Sequence, residues 1–177
     1  MDRIWKMSLL IVSIILVDQL TKGAIQSKFQ LGESITIIDG LFNFTYVQNP
    51  GAAFGFMAKA SAPVRKILFL LLPVIACFWL LWLIWVTRKT NYLLCVAYSL
   101  ILAGAVGNLI DRFSMGYVVD FLDFYWGMSH FPAFNVADSS ITIAAFLLII
   151  DLIKESFNKI KAEKEENKEI EALDQKE

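Results

Sequence analysis

The chain has 177 residues, 57% hydrophobic and 14% aromatic, with 16 Lys and Arg, 17 Asp and Glu, one His and a mean hydropathy of +0.58. That apolar fraction exceeds the roughly 45–50% of soluble domains and leaves length for one membrane-embedded domain and no second. The last twenty residues, 158–177, hold five Lys and seven acidic residues, so the remainder is close to neutral and carries no basic footprint for nucleic acid.

Four segments reach the roughly 20 residues needed to cross hydrocarbon: about 4–23, 67–87, 91–110 and 136–157. The pattern predicts an α-helical integral membrane protein with four transmembrane helices. Residues 1–157 form the membrane domain, 24–63 and 113–135 are outer segments, and 158–177 is a charged cytoplasmic tail. Arg3 and Lys6 precede the first apolar run as in a signal peptide, but the run ends in Asp18-Gln19-Leu20-Thr21-Lys22 instead of a small-residue cleavage site. It reads as a retained helix with an i, i+4 Asp18/Lys22 pair.

In the first outer segment, Ser34–Ile38 and Leu41–Gln48 are β-branched and aromatic runs separated by Asp39-Gly40, which favours a tight hairpin. A small extracytoplasmic β-sheet or loop subdomain is expected between helices 1 and 2. Asn49-Pro50-Gly51 marks a turn after it, from which Asn49 could offer an amide to an extended peptide. The next two spans are free of charge, and Cys77 and Cys95 within them read as inert packing thiols. On the third helix, Gly104, Asn108 and Asp111 fall within about 60° of one face, with Arg112 beside them, so a small residue permits close approach where polar groups point inward. Tyr117–Trp126 is again strand-like. His130 reads as a surface or interface residue, and no His-Glu-x-x-His supports a zinc protease. The tail is a solvated helix extension or a disordered segment.

Lys and Arg near the helix ends favour, modestly, both termini in the cytoplasm: Arg3, Lys6, Arg88, Lys89, Lys154, Lys159 and Lys161 share that side, against Lys22, Lys28, Lys59, Arg65 and Lys66. At 1.5 Å per residue, Asp18 and Asn108 lie about 22 to 26 Å from that side. Asp138, at the start of the fourth helix, reaches the same outer level, and Asp151 returns to the cytoplasmic boundary. Charge in hydrocarbon costs roughly 2.5 to 3.5 kcal/mol at a helix centre, so Asp18, Lys22, Asn108, Asp111, Arg112 and Asp138 at one depth mark a site.

Asp120 and Asp138 flank the second outer segment and could share one proton as base and acid on a water. Asp123 is equally suited on chemistry alone. The plainer alternative is that Asp138 caps helix four and Asp120 is a solvated loop residue.

Asp18-Gln19-Leu20-Thr21-Lys22, Asn49-Pro50-Gly51-Ala52-Ala53-Phe54, Gly104-Ala105-Val106-Gly107-Asn108-Leu109-Ile110-Asp111-Arg112, Val118-Val119-Asp120-Phe121 and Phe134-Asn135-Val136-Ala137-Asp138 resemble, in order, the motif series of bacterial lipoprotein signal peptidase, signal peptidase II. The resemblance covers 18 to about 144. It implies an aspartyl endopeptidase of the bacterial inner membrane, with its active site at the outer leaflet, that cleaves a diacylglyceryl prolipoprotein before its lipidated cysteine. It also implies no metal or organic cofactor. Membrane lipids are the expected surroundings, and a monomer is the expected working state. The matching dyad is Asp120 and Asp138. Asn49, Asn108, Arg112 and Asn135 match substrate-pocket positions, while Asp18, Lys22, Gly104 and Asp111 match supporting ones. Ala144 departs from the pattern, which often has Gly there.

Two other classes compete. A small proton-coupled transporter would distribute polar residues through the membrane depth or show an internal repeat, and the sequence does neither. A non-catalytic lipid-binding protein would not need a second carboxylate opposite Asp138.

Overall fold

A computed structural model describes residues 3–51 and 61–174, apart from the side chains of Ala62 and 166–174. Among the described residues, four helices are long and apolar enough to span a membrane. Helix α1 is Arg3–Lys28, α3 is Tyr92–Ser114 and α4 is Val136–Asp174. Helix α2 runs unbroken through Ala62–Lys66, a π-helical turn Ile67–Leu71, and Leu72–Thr87. Pro73 has no N–H to offer the preceding turn, and the wide turn before it absorbs that defect.

All four helices outrun the apolar segments that signal them, because hydropathy ends where the lipid ends and the backbone hydrogen-bond ladder does not. Helix α4 is the extreme case. Its 39 residues make a rod of about 58 Å, roughly twice the hydrocarbon thickness. The charged tail continues it as helix to Asp174, with i, i+4 pairs Glu155–Lys159 (2.7 Å) and Lys161–Glu165 (3.8 Å) on its solvated side.

Helix α3 is the hub: 56% of its span is buried, against 11–17% in the others, and it packs on α1, α2 and α4. Small residues make that possible. A Cβ on Gly104 would lie 2.4 Å from the Ala137 carbonyl oxygen and 2.7 Å from both Ser140 Oγ and Ile141 Cγ1. One on Gly107 would lie 2.7 Å from Asp18 Oδ2. Further along, Ala144 is fully buried in a cluster with Ala97 and Leu100, so its methyl lies in the α3–α4 contact. Cys95 is buried among Met7, Leu80, Ile84 and Leu102, with Cys77 packed against that cluster, and both are free thiols.

The helix ends sort as the rise argument predicts. Arg3 donates to the Arg88 carbonyl (3.1 Å), and Asn91 caps α3 through Leu94 N–H (3.1 Å) while donating to Asp151 (2.8 Å). These residues share one end of the bundle, and Asp18, Lys22, Asn108, Asp111 and Asp138 share the other.

At that second end lies one antiparallel sheet in the order β1 (Ser34–Ile38), β2 (Phe42–Asn49), β3 (Val118–Trp126), β4 (Ser129–His130). Asp39-Gly40 makes the expected turn, with Gly40 at φ +73°. The sheet is not confined between helices 1 and 2, as the sequence suggested: half of its strands come from the second outer segment, and β2 pairs with β3 across nearly eighty residues. Ile25, Tyr46, Val119 and Phe121 form the core that seats it on the end of α1.

The Gly104 contact is with backbone, which cannot swing away. Gly104→Ala is therefore expected to lower thermal stability in detergent by about 1–3 kcal/mol. Gly23→Ala, at a helical position with nothing within 4 Å, should leave the melting temperature unchanged or raise it.

Candidate active site

Asn135 joins the two carboxylates. It is the residue before α4, and its side-chain oxygen accepts the Asp138 N–H (3.0 Å) while its own N–H reaches Asp138 Oδ2 (3.3 Å), a reciprocal cap that satisfies orphan donors of the first turn. The same side chain donates through Nδ2 to Asp120 Oδ1 at 2.7 Å. One fully buried amide thus holds a helix head and a strand in register.

Each carboxylate has a further amide donor. Asn49 Nδ2 reaches Asp120 Oδ2 (3.0 Å) and Asn108 Nδ2 reaches Asp138 Oδ1 (2.8 Å). Asn49 pairs with Val118 and is a diagonal neighbour of Asp120 on the facing strand, a placement set by the bulge in β2 between Phe44 and Val47. Both carboxylates line a cavity of about 560 Å³ that also meets Asn49, Asn108 and Arg112. Its far wall is Phe131, Pro132, Ala133, Ile141 and Ile143. Burial pushes the Asp120 carboxyl up to about 7, opposed by the Asn49 and Asn135 hydrogen bonds and helped by the Asp138 charge.

Arg112 borders the cavity, donates to the Gly51 carbonyl (3.0 Å) and lies 5.4 Å from the Phe69 ring in the π-helical turn of α2. Residues 52–54 of the Asn-Pro-Gly-Ala-Ala-Phe motif lie outside the described residues.

Beneath the cavity is a buried ionic cluster. Lys22 Nζ contacts Asp18 Oδ2 (2.8 Å), Asp111 Oδ2 (2.9 Å) and Asn108 Oδ1 (3.0 Å), with Lys22 2% exposed, Asp18 0% and Asp111 1%. Asp18 Oδ1 accepts Ala137 N–H (2.9 Å), and Asp111 Oδ2 accepts Val119 N–H (3.2 Å). Sequence reasoning passed over Gln19, whose Nε2 donates to Asp111 (2.9 Å), to the Gly107 carbonyl (3.2 Å) and to Asp18 (3.2 Å). An amide between two charged positions of an apolar helix was the available signal.

The structure separates Asp123 from this group. Three residues along a strand place it on the opposite face from Asp120, where it accepts from Asn43 (2.9 Å) and contacts His130 Nδ1 (2.9 Å). His130 is half exposed and stacks on Tyr125. Two pocket assignments also change in kind: Asn135 is fully buried behind the carboxylates, and the Asn49 amide is engaged by Asp120 instead of standing open. Among the described residues, no three His, Cys, Asp or Glu side chains converge as metal ligands.

The family model described as Signal peptidase (SPase) II matches residues 10–154. The chain belongs to this family. A lipoprotein signal peptidase of Desulforapulum autotrophicum is 49% identical over 83% of this chain and 89% of its own length, and one of Syntrophus aciditrophicus is 44% identical over 82% and 91%. A bacterial membrane enzyme solved by the in meso method superposes with TM-score 0.76 at 37% identity, covering 88% of this chain and 92% of that one. As a signal peptidase II family member with four spanning helices, the protein is a multi-pass inner-membrane protein of a peptidase family.

The raised Asp120 carboxyl has a cost in stability. The folded state keeps its proton up to about 7 and the unfolded chain releases it near 3.8, so stability falls as pH rises through that window and stays lower above it. Asp120→Asn removes the penalty. The variant should melt above the wild type at pH 8, with the gap closing toward pH 4.

Proposed function

We propose that the protein is an intramembrane aspartyl endopeptidase that removes the signal peptide of diacylglyceryl-modified prolipoproteins, cutting before the lipidated cysteine with Asp120 and Asp138. It works as a monomer without metal or organic cofactor, with both termini in the cytoplasm and the carboxylates at the outer leaflet. The observation that carries this reading is the pair of carboxylates tied by Asn135 at the edge of a largely apolar cavity. Family membership and the lipoprotein signal peptidases among its relatives support the substrate class.

Asp120, with its carboxyl pushed up to about 7, still carries a proton in a large share of molecules at neutral pH, whereas Asp138, in the first turn of α4, faces the positive end of the helix dipole and takes the ionised role. Asp138 accepts a proton from water as the water oxygen bonds to the scissile carbonyl carbon, and Asp120 passes its proton to the carbonyl oxygen. On collapse of the diol, the C–N bond breaks, Asp138 returns its proton to the cysteine nitrogen, and Asp120 recovers one from a diol hydroxyl. Phe131, Pro132, Ala133, Ile141 and Ile143 offer the acyl chains an apolar wall open to the bilayer. The transporter and lipid-binding readings give no reason for two carboxylates on one amide.

Asp120→Asn and Asp138→Asn should each cut turnover of a diacylated precursor on the order of 10³- to 10⁴-fold while the protein stays folded and inserted. Asp123→Asn should keep most activity. Near-normal turnover by either dyad variant removes the mechanism. The kcat/KM profile should be bell-shaped, its descending limb set by loss of the Asp120 proton near pH 7. A flat alkaline plateau would point to a single ionised base.

A further inference from the structure

We propose that Lys22 is a positioning residue that fixes which way the Asn108 amide faces, and so supplies Asp138 with its side-chain donor. The inference rests on the dyad reading above. An ammonium has three hydrogens and no acceptor. Lys22 is 2% exposed, and its three acceptors are Asp18, Asp111 and the Asn108 oxygen at 2.8, 2.9 and 3.0 Å. With the Asn108 oxygen so held, and also accepting from Asn135 Nδ2 (3.3 Å), its NH₂ group can only face Asp138 Oδ1, 2.8 Å away. A reversed amide would set NH₂ against the ammonium and oxygen against the carboxylate, two repulsive contacts between buried groups. Asn135 needs no such anchor, because the Asp138 backbone N–H fixes its oxygen.

The ammonium's own position is tied to both catalytic elements. Asp18 holds the N–H of Ala137, next to Asp138, and Asp111 holds that of Val119, next to Asp120. The charged groups facing Asp138 are Lys22 and Asp18 from α1, Arg112 from α3 and Asp120 from β3, with Asp111 of α3 behind them on Lys22. Among them only Lys22 donates to Asn108 Oδ1.

The test uses the full-length protein in detergent with a diacylglyceryl precursor. Lys22→Met should lower kcat about a hundredfold with KM within a few fold, since geometry at the base is lost and binding is not. The acidic limb of its kcat/KM profile should move up by about one pH unit, as a base that has lost a donor to its charged form would require. Lys22→Met also leaves two carboxylates facing each other, so Lys22→Met/Asp111→Asn, which keeps the cluster's net charge, is assayed beside it and should show the same shift. Asn108→Ala should reproduce both effects, and adding Lys22→Met to it should cost less than about threefold more. An unmoved acidic limb in the charge-balanced variant, or losses that multiply in the Asn108 cycle, overturns the inference and leaves the dyad standing. Activity in Asp138→Asn would instead overturn the dyad itself.

Discussion

A buried ammonium must find an acceptor for each of its hydrogens, and nearly every element around the cavity is placed by how Lys22 meets that demand. Its partners come from α1 and α3, and two of those partners reach on to the second backbone N–H groups of α4 and β3, those of Ala137 and Val119. Breaking such a pair by removing one partner costs several kcal/mol, because the other charge is left buried and uncompensated. Gly107 belongs to the same constraint, since any side chain there would occupy the space of the Asp18 carboxylate. A cluster of this kind is weak support for stability in itself. Its effect here is to tie three helices, α1, α3 and α4, to strand β3 in one arrangement.

Above the cluster, function and stability pull in opposite directions. Asp138 takes part in a helix cap and also borders the cavity, so capping does not withdraw its carboxylate from the cavity. Asp120 is buried against apolar neighbours, which keeps a proton on it at pH values where an exposed aspartate would have none. The same burial makes its ionisation unfavourable and lowers stability at neutral pH. Amide side chains reconcile these demands: Asn49, Asn108 and Asn135 satisfy carboxylate oxygens without adding charge.

The spans were legible because hydrocarbon thickness fixes the length of an apolar run, and Asp39-Gly40 announced its hairpin through turn chemistry. The Asp18/Lys22 pair followed from helical spacing, and Gly104 from the need for close approach on a polar face. The pairing of β2 with β3 was not legible, since it joins segments separated by two membrane helices and its bulge leaves no mark in composition. That pairing is what brings Asn49 to Asp120 and turns Asp123 to the other face. From the residues alone Asp120 and Asp123 stayed equal, and only the motif resemblance chose between them. Gln19 and the Phe131–Phe134 wall escaped because their roles depend on partners distant in sequence. The helix ends escaped because charge stops a hydropathy window without stopping a helix.

The central claim is that two carboxylates share one proton at neutral pH, and infrared difference titration of the carboxyl stretch measures it most directly. Wild-type protein in lipid nanodiscs should show a protonated carboxyl that disappears as pH rises through about 7 and that is missing from Asp120→Asn. If every carboxyl of the wild type is already ionised by pH 5, or if the band persists unchanged in Asp120→Asn, the shared-proton account is contradicted.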